Sequence, residues 1–257
     1  MSALKGIYAL WYREFKVFTR EKSRIVSSIV TPMLWFIIIG GGLGSAFNSE
    51  GGVNYQTLIF PGVLIQSVIF SSIFFGVYIV WDKKIDFLKE VLVSPLSRST
   101  IFIGKVAGGS TDTFIQIILL FILGFGFQAY GLLQEITFSP ETIAISLAFL
   151  IVTTIAAVSI GLIMGSQMES PEGFQLVSSF IIFPMFFLSG ALFPINNLPE
   201  YLKPFVLLDP ITYAVDGIRG ALIGTSTFPI IYDFAVISGF AIVMVLIGTY
   251  AFQRMKL

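Results

Sequence analysis

TIAISLAFLIVTTIAAVSIGLIMGSQM, residues 142–168, contains no Asp, Glu, Lys or Arg. A helix crosses the hydrocarbon core of a bilayer, about 30 Å thick, with about 20 apolar residues at 1.5 Å each. This tract is long enough. Its apolar character is continuous, whereas barrel strands alternate and run only about ten residues, so a transmembrane helix is indicated. Five further charge-free tracts of spanning length occupy residues 25–49, 51–81, 113–134, 173–199 and 234–253. The chain is therefore expected to be an all-α integral membrane protein with six transmembrane helices, forming one domain over residues 1–257.

Composition agrees. Of the 257 residues 56% are hydrophobic and 12% charged, against about 25% charged in an ordinary soluble domain. A net charge of zero gives no electrostatic case for nucleic acid. Cysteine and histidine are both absent, which removes thiolate nucleophiles, imidazole bases and the usual zinc ligands. No catalytic or metal-ligating set is expected.

Thirteen of the fifteen Lys and Arg residues precede the first span, lie between spans two and three, or follow span six; only Lys203 and Arg219 lie elsewhere, between spans five and six. Positive charge marks the cytoplasmic side, so both termini are expected inside. The first tract is longer than a signal-peptide core of 7–15 residues, and acids as well as bases precede it. We read it as a retained span.

Ahead of that span, Leu4, Ile7, Tyr8, Trp11, Phe15 and Phe18 recur at helical steps among Lys5, Arg13, Glu14, Lys16 and Arg20, which predicts an amphipathic helix in residues 1–24. It is expected in the headgroup plane, either as a simple anchor or docked on a cytoplasmic partner. Between spans two and three, residues 82–92 put Ile85, Leu88 and Leu92 on one face of a second amphipathic helix, which Val93-Ser94-Pro95 should end. Ser97 or Ser99 can cap the helix that follows. This elbow, residues 82–98, is longer and more charged than a plain connection needs, and we read it as a docking surface.

Ser170, Pro171 and Glu172 describe a sharp helix start at the head of span five. Residues 194–229 are external yet largely apolar, and two short helices are expected there, divided at Asp209-Pro210 and dipping back against the outer ends of the spans as re-entrant elements. Asp216 and Arg219, three apart, can pair. Asp112 shares a helix face with Lys105 and Gln116; it either borders a conduit or is neutralised by Lys105 or a neighbouring helix. Gly40 and Gly44, Gly104 and Gly108, Gly161 and Gly165, and Gly220 and Gly224 have the spacing that permits close helix approach. Pro32, Pro61 and Pro184 should kink their spans.

No energy source is encoded. Gly104-Lys105 lacks the rest of a phosphate-binding loop, with Ser99 where a glycine is required and Val106 where Ser or Thr should follow. Either an ion gradient or a separate ATPase must drive transport.

Two stretches, KEVLVSPLSR at 89–98 followed by Gly104-Lys105, and FLSGALFP at 187–194 followed by Leu198-Pro199 and DPITYAVDGIR at 209–219, resemble the membrane permease subunits of type-2 ABC exporters, in the daunorubicin-resistance-like branch. The second departs at Asp209, where Asn is common; both residues cap helices. The resemblance implies a homodimer, or a pairing with a similar permease, in a prokaryotic inner membrane, bound to separate ATP-binding ABC subunits that carry ATP and Mg while this chain carries no cofactor. Residues 1–24 would be the connecting helix, 82–98 the coupling elbow and 194–229 the re-entrant helices. Lys83, Lys84, Ile85, Leu88, Lys89, Glu90 and Leu92, with Glu169 and Glu172 between spans four and five, would face the ATP-binding partner. An amphiphilic cargo (drug, lipid or glycolipid) would leave the cytoplasm past Asp112, Gln116, Phe180, Phe183 and Phe187; Phe174 and Phe186 share the fifth span. An ion-coupled secondary transporter would instead need internal repeats or paired intramembrane carboxylates, and an intramembrane transferase clustered acids at a span end. We find neither pattern.

Overall fold

The computed structural model describes residues 3–44, 54–195 and 198–255, and every regular element among them is helical. Residues 45–49 of the first tract, 51–53 of the second, Asn196 and Asn197 of the external region and Lys256 of the tail lie outside the described residues. In chain order the helices are α1 (Ala3–Arg20), α2 (Lys22–Trp35) running through a π-helical turn (Phe36–Gly40) into α3 (Gly41–Gly44), α4 (Tyr55–Phe74), α5 (Val77–Lys84), α6 (Phe87–Val93), α7 (Arg98–Ala129), α8 (Pro140–Gln167), α9 (Pro171–Leu188), α10 (Lys203–Leu208), α11 (Pro210–Ile223) and α12 (Ile230–Arg254). Six helical segments are long and apolar enough to cross a membrane: Lys22–Gly40, Tyr55–Lys84, Arg98–Ala129, Pro140–Gln167, Pro171–Leu188 and Ile230–Arg254.

Local chemistry sets the helix starts. Ser97 accepts from the Thr100 N–H, Ser170 accepts from Gly173 with Pro171 behind it, and Asp209 accepts from Ile211 ahead of Pro210. Ser139 and Thr142 close a reciprocal capping box at α8. The third spanning helix begins much earlier than its charge-free tract, at Arg98 instead of residue 113, because Lys105 and Asp112 are buried against partners on other helices. Partnered charge does not interrupt a spanning helix.

The elbow is not one helix over residues 82–92. Asp82, Lys83 and Lys84 end α5, Asp86 takes the left-handed conformation (φ 57°), and α6 starts afresh at Phe87. Asp tolerates that conformation better than most residues. The break removes Ile85 from the face it was expected to share: Ile85 is 65% exposed, Leu88 only 1%, and Leu92 is half-buried. Val93 ends α6 as the following Ser94-Pro95 predicts.

α4 and α8 form the centre of the bundle. They touch backbone to backbone where Ile73 of α4, and Gly76 at the joint between α4 and α5, meet Gly161 and Gly165, which only residues without a Cβ allow. α11 packs against α4, α8 and α12. At the end rich in basic residues, a separate apolar cluster joins Leu10 of α1, Phe75 and Ile79, Leu88 and Val91 of α6, Ile101 and Phe102 of α7, Val158 and Leu162 of α8, and Phe252 of α12.

α1 buries against the bundle a stripe that shares Phe18 with the apolar one expected to face the headgroups. Gly6, Leu10, Glu14 and Phe18 face inward, and Gly104 and Gly108 of α7 make room for Leu10 and Glu14. Leu4, Tyr8 and Tyr12 stand exposed. The helix is apolar on two sides, one of them covered by α7.

Candidate functional site

At the basic end, four charges close a ring. Glu14 Oε1 accepts from Arg13 Nη1 at 2.7 Å and from Lys105 Nζ at 2.7 Å; Asp82 accepts from Arg13 Nη2 at 2.9 Å through Oδ1 and from Lys105 at 2.5 Å through Oδ2. Lys105 is fully buried. Two positive and two negative groups leave no net charge, the condition under which buried ions are tolerated. The Arg13 guanidinium also lies 3.9 Å above the ring of Phe87. The ring thus joins α1, the end of α5, the first turn of α6 and α7. Lys105 therefore does not neutralise Asp112, and the sequence held one sign of this: Glu14 sits in line with Gly6, Leu10 and Phe18 on the inward stripe, where a carboxylate needs a partner.

Asp112 instead meets Arg24 of α2 at 3.3 Å. One turn further along both helices, Gln116 Nε2 donates to the Ser28 carbonyl at 2.8 Å. That carbonyl lacks its helical donor because Pro32, four residues on, has no N–H. Two polar rungs therefore hold α2 to α7. Beside them opens a cleft of about 660 Å³ between α2 and α4–α5, with Gln116 on its wall, Arg24, Glu21 and Tyr78 at one end, Trp35 further along α2, and Phe70 and Phe74 on the turns of α4 that lead up to Tyr78. Tyr78 accepts from Arg24 Nη1 at 3.0 Å and donates to Glu21 at 2.9 Å.

Phe180, Phe183 and Phe187 are not brought into this cleft. They lie on an exposed face of α9, while Phe174 and Phe186 are buried in the bundle. Phe183 stands 5.8 Å from Phe70, edge to face, at the cleft's margin.

Cation contacts pin both flanks of the elbow to neighbouring helices. Lys83 donates to the carbonyls of Gly165, Ser166 and Met168 at 3.0, 2.5 and 3.2 Å, capping the C-terminus of α8. Arg98 donates to the carbonyls of Phe252 and Met255, capping α12. Cations at helix C-termini satisfy orphan carbonyls and the helix dipole together. Lys83, Leu88, Lys89 and Glu169 share one recess of about 470 Å³ with Arg254 and Met255. Lys84 lies over Trp81, Lys89 pairs with Asp86 at 2.6 Å in the open, and Glu90 and Glu172 are exposed. Replacing Lys83 with Met should leave three carbonyls without their donor, a cost of about 1–3 kcal/mol. Amide exchange across residues 164–168 is then expected to quicken about tenfold or more; exchange at the native rate would show that the cap is not holding α8.

At the far end, Asp216 and Arg219 do not pair. Asp216 accepts from the N–H groups of Thr227 and Phe228 at 2.7 and 2.9 Å, and Arg219 donates to the Gly190 carbonyl at 2.9 Å. Each fastens α11 to a different loop.

Residues 5–223, which contain the charge ring, the elbow and α11, match the family model described as ABC-2 type transporter. The chain belongs to the ABC-2 type transporter family. Inner membrane transport permease YadH of Escherichia coli K12 is 27% identical to this ABC-2 chain over 259 residues, covering 98% of it and 95% of YadH. The putative transport permease ycf38 of Cyanophora paradoxa is 25% identical over 84% of the chain and 73% of its own length. Nodulation protein J of Neorhizobium galegae is 24% identical over 87% of the chain and 83% of its own length. The ABC-2 chain is accordingly a transmembrane transport subunit of an ABC transporter and not an enzyme. Membership in the family implies, in general terms, an ATP-binding ABC partner and a permease dimer.

Proposed function

We propose that this permease is the membrane half of an ATP-driven exporter in a prokaryotic inner membrane, with both termini in the cytoplasm. A separate ATP-binding subunit, carrying ATP and Mg, docks on α6 and on the recess beside it, and a second permease, of the same or a similar sequence, completes the complex. The amphiphilic cargo, a drug, lipid or glycolipid, leaves the cytoplasmic leaflet, and α10 and α11 lie as re-entrant elements at the external end.

The observation that carries this reading is the fastening of α6. Leu88 and Val91 enter the apolar cluster at the basic end, Phe87 lies under Arg13, Lys83 holds α8 and Arg98 holds α12. A push on so short a helix reaches α1, α7, α8 and α12 without first deforming a loop. Glu90, by contrast, is exposed, and so is Lys89, whose ion pair with Asp86 lies in the open, where a partner can meet both.

The test is to purify the permease with its neighbouring ATP-binding subunit and compare ATP hydrolysis and transport for Lys89→Glu and Glu90→Lys. Loss of the complex, or a several-fold fall in transport per ATP hydrolysed, is expected, because reversed rim charges repel a complementary surface. Unchanged assembly and unchanged transport would refute docking through α6. Cargo movement in vesicles holding the permease alone, driven by an ion gradient, would replace the ATP-driven reading altogether.

A further inference from the structure

α1 has three sides. The stripe Gly6, Leu10, Glu14 and Phe18 faces the bundle. Next to it around the helix, Leu4, Tyr8 and Tyr12 are exposed and Trp11 and Phe15 half-buried, with Tyr8 stacked on Tyr12 and Trp11 on Phe15. Next again, at helical spacing, Lys5, Lys16 and Arg20 stand exposed. Lys16 Nζ lies 4.8 Å over the ring of Tyr12 and so joins the two outward sides. Among the described residues these three bases have no acidic partner: Glu14 is committed to the charge ring, and Glu21 accepts from Tyr78.

A bilayer surface and a soluble protein are the two candidates to cover such a face, and charge separates them. The elbow exposes both signs, Lys84 and Lys89 beside Asp86 and Glu90, with Glu169 in the same recess as Lys89, as a protein partner requires. α1 exposes bases only. From Lys5 to Arg20 they run along about 22 Å of helix axis at 1.5 Å per residue, and a protein would need an unbroken acidic strip of that length to match them. An anionic leaflet supplies one at any point, and it also takes up the apolar strip that lies alongside.

We propose that the outward face of α1 is a binding surface for anionic phospholipid headgroups, with Lys5, Lys16 and Arg20 on the phosphates and Leu4, Tyr8 and Trp11 among the upper acyl chains. Arg13 and Glu14 tie the same helix to Asp82 and Lys105, so lipid held here bears on the helix that the charge ring joins to α5 and α7. The inference rests on the chain being a membrane subunit and not on how transport is driven.

The chain has no cysteine, so Ala9→Cys, at an exposed position between Lys5 and Lys16, puts a single fluorophore on the basic side of the whole permease. In phosphatidylcholine nanodiscs at about 50 mM salt, a minor fraction of nitroxide-bearing phosphatidylglycerol should quench it at least about threefold more than the same fraction of nitroxide-bearing phosphatidylcholine, and about 0.5 M salt should erase the difference. Lys5→Gln, Lys16→Gln and Arg20→Gln together should erase it at low salt, since each base near an anionic surface is worth about fivefold in attraction. The salt comparison stands on the unaltered bases even where that triple variant fails to fold. A fluorophore at Val93→Cys, 83% exposed at the end of α6, should show no such preference. Equal quenching by the two lipids at position 9, a preference that neither salt nor a folded triple variant moves, or the same preference at position 93 would each overturn the assignment. So would loss of the quenching when the neighbouring ATP-binding subunit is added, which would give the face to a protein partner. No nucleotide turnover or transport is read, so failed ATP coupling beside the expected quenching removes only the exporter reading.

Discussion

Replacing Lys105 with Met is expected to abolish a stable, monodisperse permease. The ammonium lies between Glu14 and Asp82 with no exposure to solvent. Without it, two buried carboxylates share the half-buried Arg13, leaving one net negative charge inside the protein. Breaking a buried ion pair by removing one partner costs about 3–5 kcal/mol, a large share of the roughly 5–15 kcal/mol by which folded chains are stable. Fluorescence-detected size exclusion and thermal unfolding in detergent measure the effect. Adding Asp82→Asn restores neutrality with Arg13 and Glu14 still paired, and should recover most of the loss. A single variant as stable as the parent would show that the ring does not hold α1, α5 and α7 together, and a double variant no better than the single one would show that lost packing, not charge, is responsible.

Gly161→Ala should be nearly as damaging for a steric reason. A Cβ at this position would run into the backbone carbonyl of Ile73, and Gly76 and Gly165 meet backbone across the same contact. No flexible side chain can yield, so α4 and α8 must separate and their apolar faces lose contact. Overpacking of a well-filled site costs about 1–3 kcal/mol, occasionally more, and at the centre of the bundle we expect the upper end, seen as a fall in unfolding temperature and in yield. Gly126→Ala and Gly239→Ala are the controls. Both sit in spanning helices with open space where a Cβ would go, and there alanine should be neutral or stabilise by about 0.5–1 kcal/mol. Equal loss at all three positions would point to a general intolerance of substitution instead of the α4–α8 contact.

What could be read in the sequence was whatever local chemistry decides. Length and charge located six spans, and Ser97, Ser170 and Asp209 start helices where capping rules place them. Partner choice was another matter. Asp112 and Lys105 share a helix face, which left Lys105 or a neighbouring helix as the partner of Asp112; the neighbouring helix supplies it through Arg24, and Lys105 turns to Glu14 and Asp82. Asp216 and Arg219 are likewise three apart and turn instead to separate loops. Glycine spacing was equally undecided with twenty-four glycines in the chain. Gly161–Gly165 marks the central crossing and Gly104–Gly108 the seat of α1, whereas Gly224 serves as the left-handed cap of α11. One residue's conformation, that of Asp86, moved Ile85 out of the elbow helix, and no period in the surrounding sequence records such a turn.

The first span has a joint built into it. Its ladder lacks a rung at Pro32, and the very next turns widen into the π-helical stretch Phe36–Gly40. Below that point a side-chain amide from α7 substitutes for the missing rung. A rod interrupted at one height bends most easily there, and the half that precedes Pro32 is anchored beside Asp112. Beyond the joint, Phe36 is buried against the rings of Phe60 and Phe127 and Trp35 meets Phe186 edge to face, so a bend at Pro32 has to carry those aromatic contacts with it as well as the one amide contact.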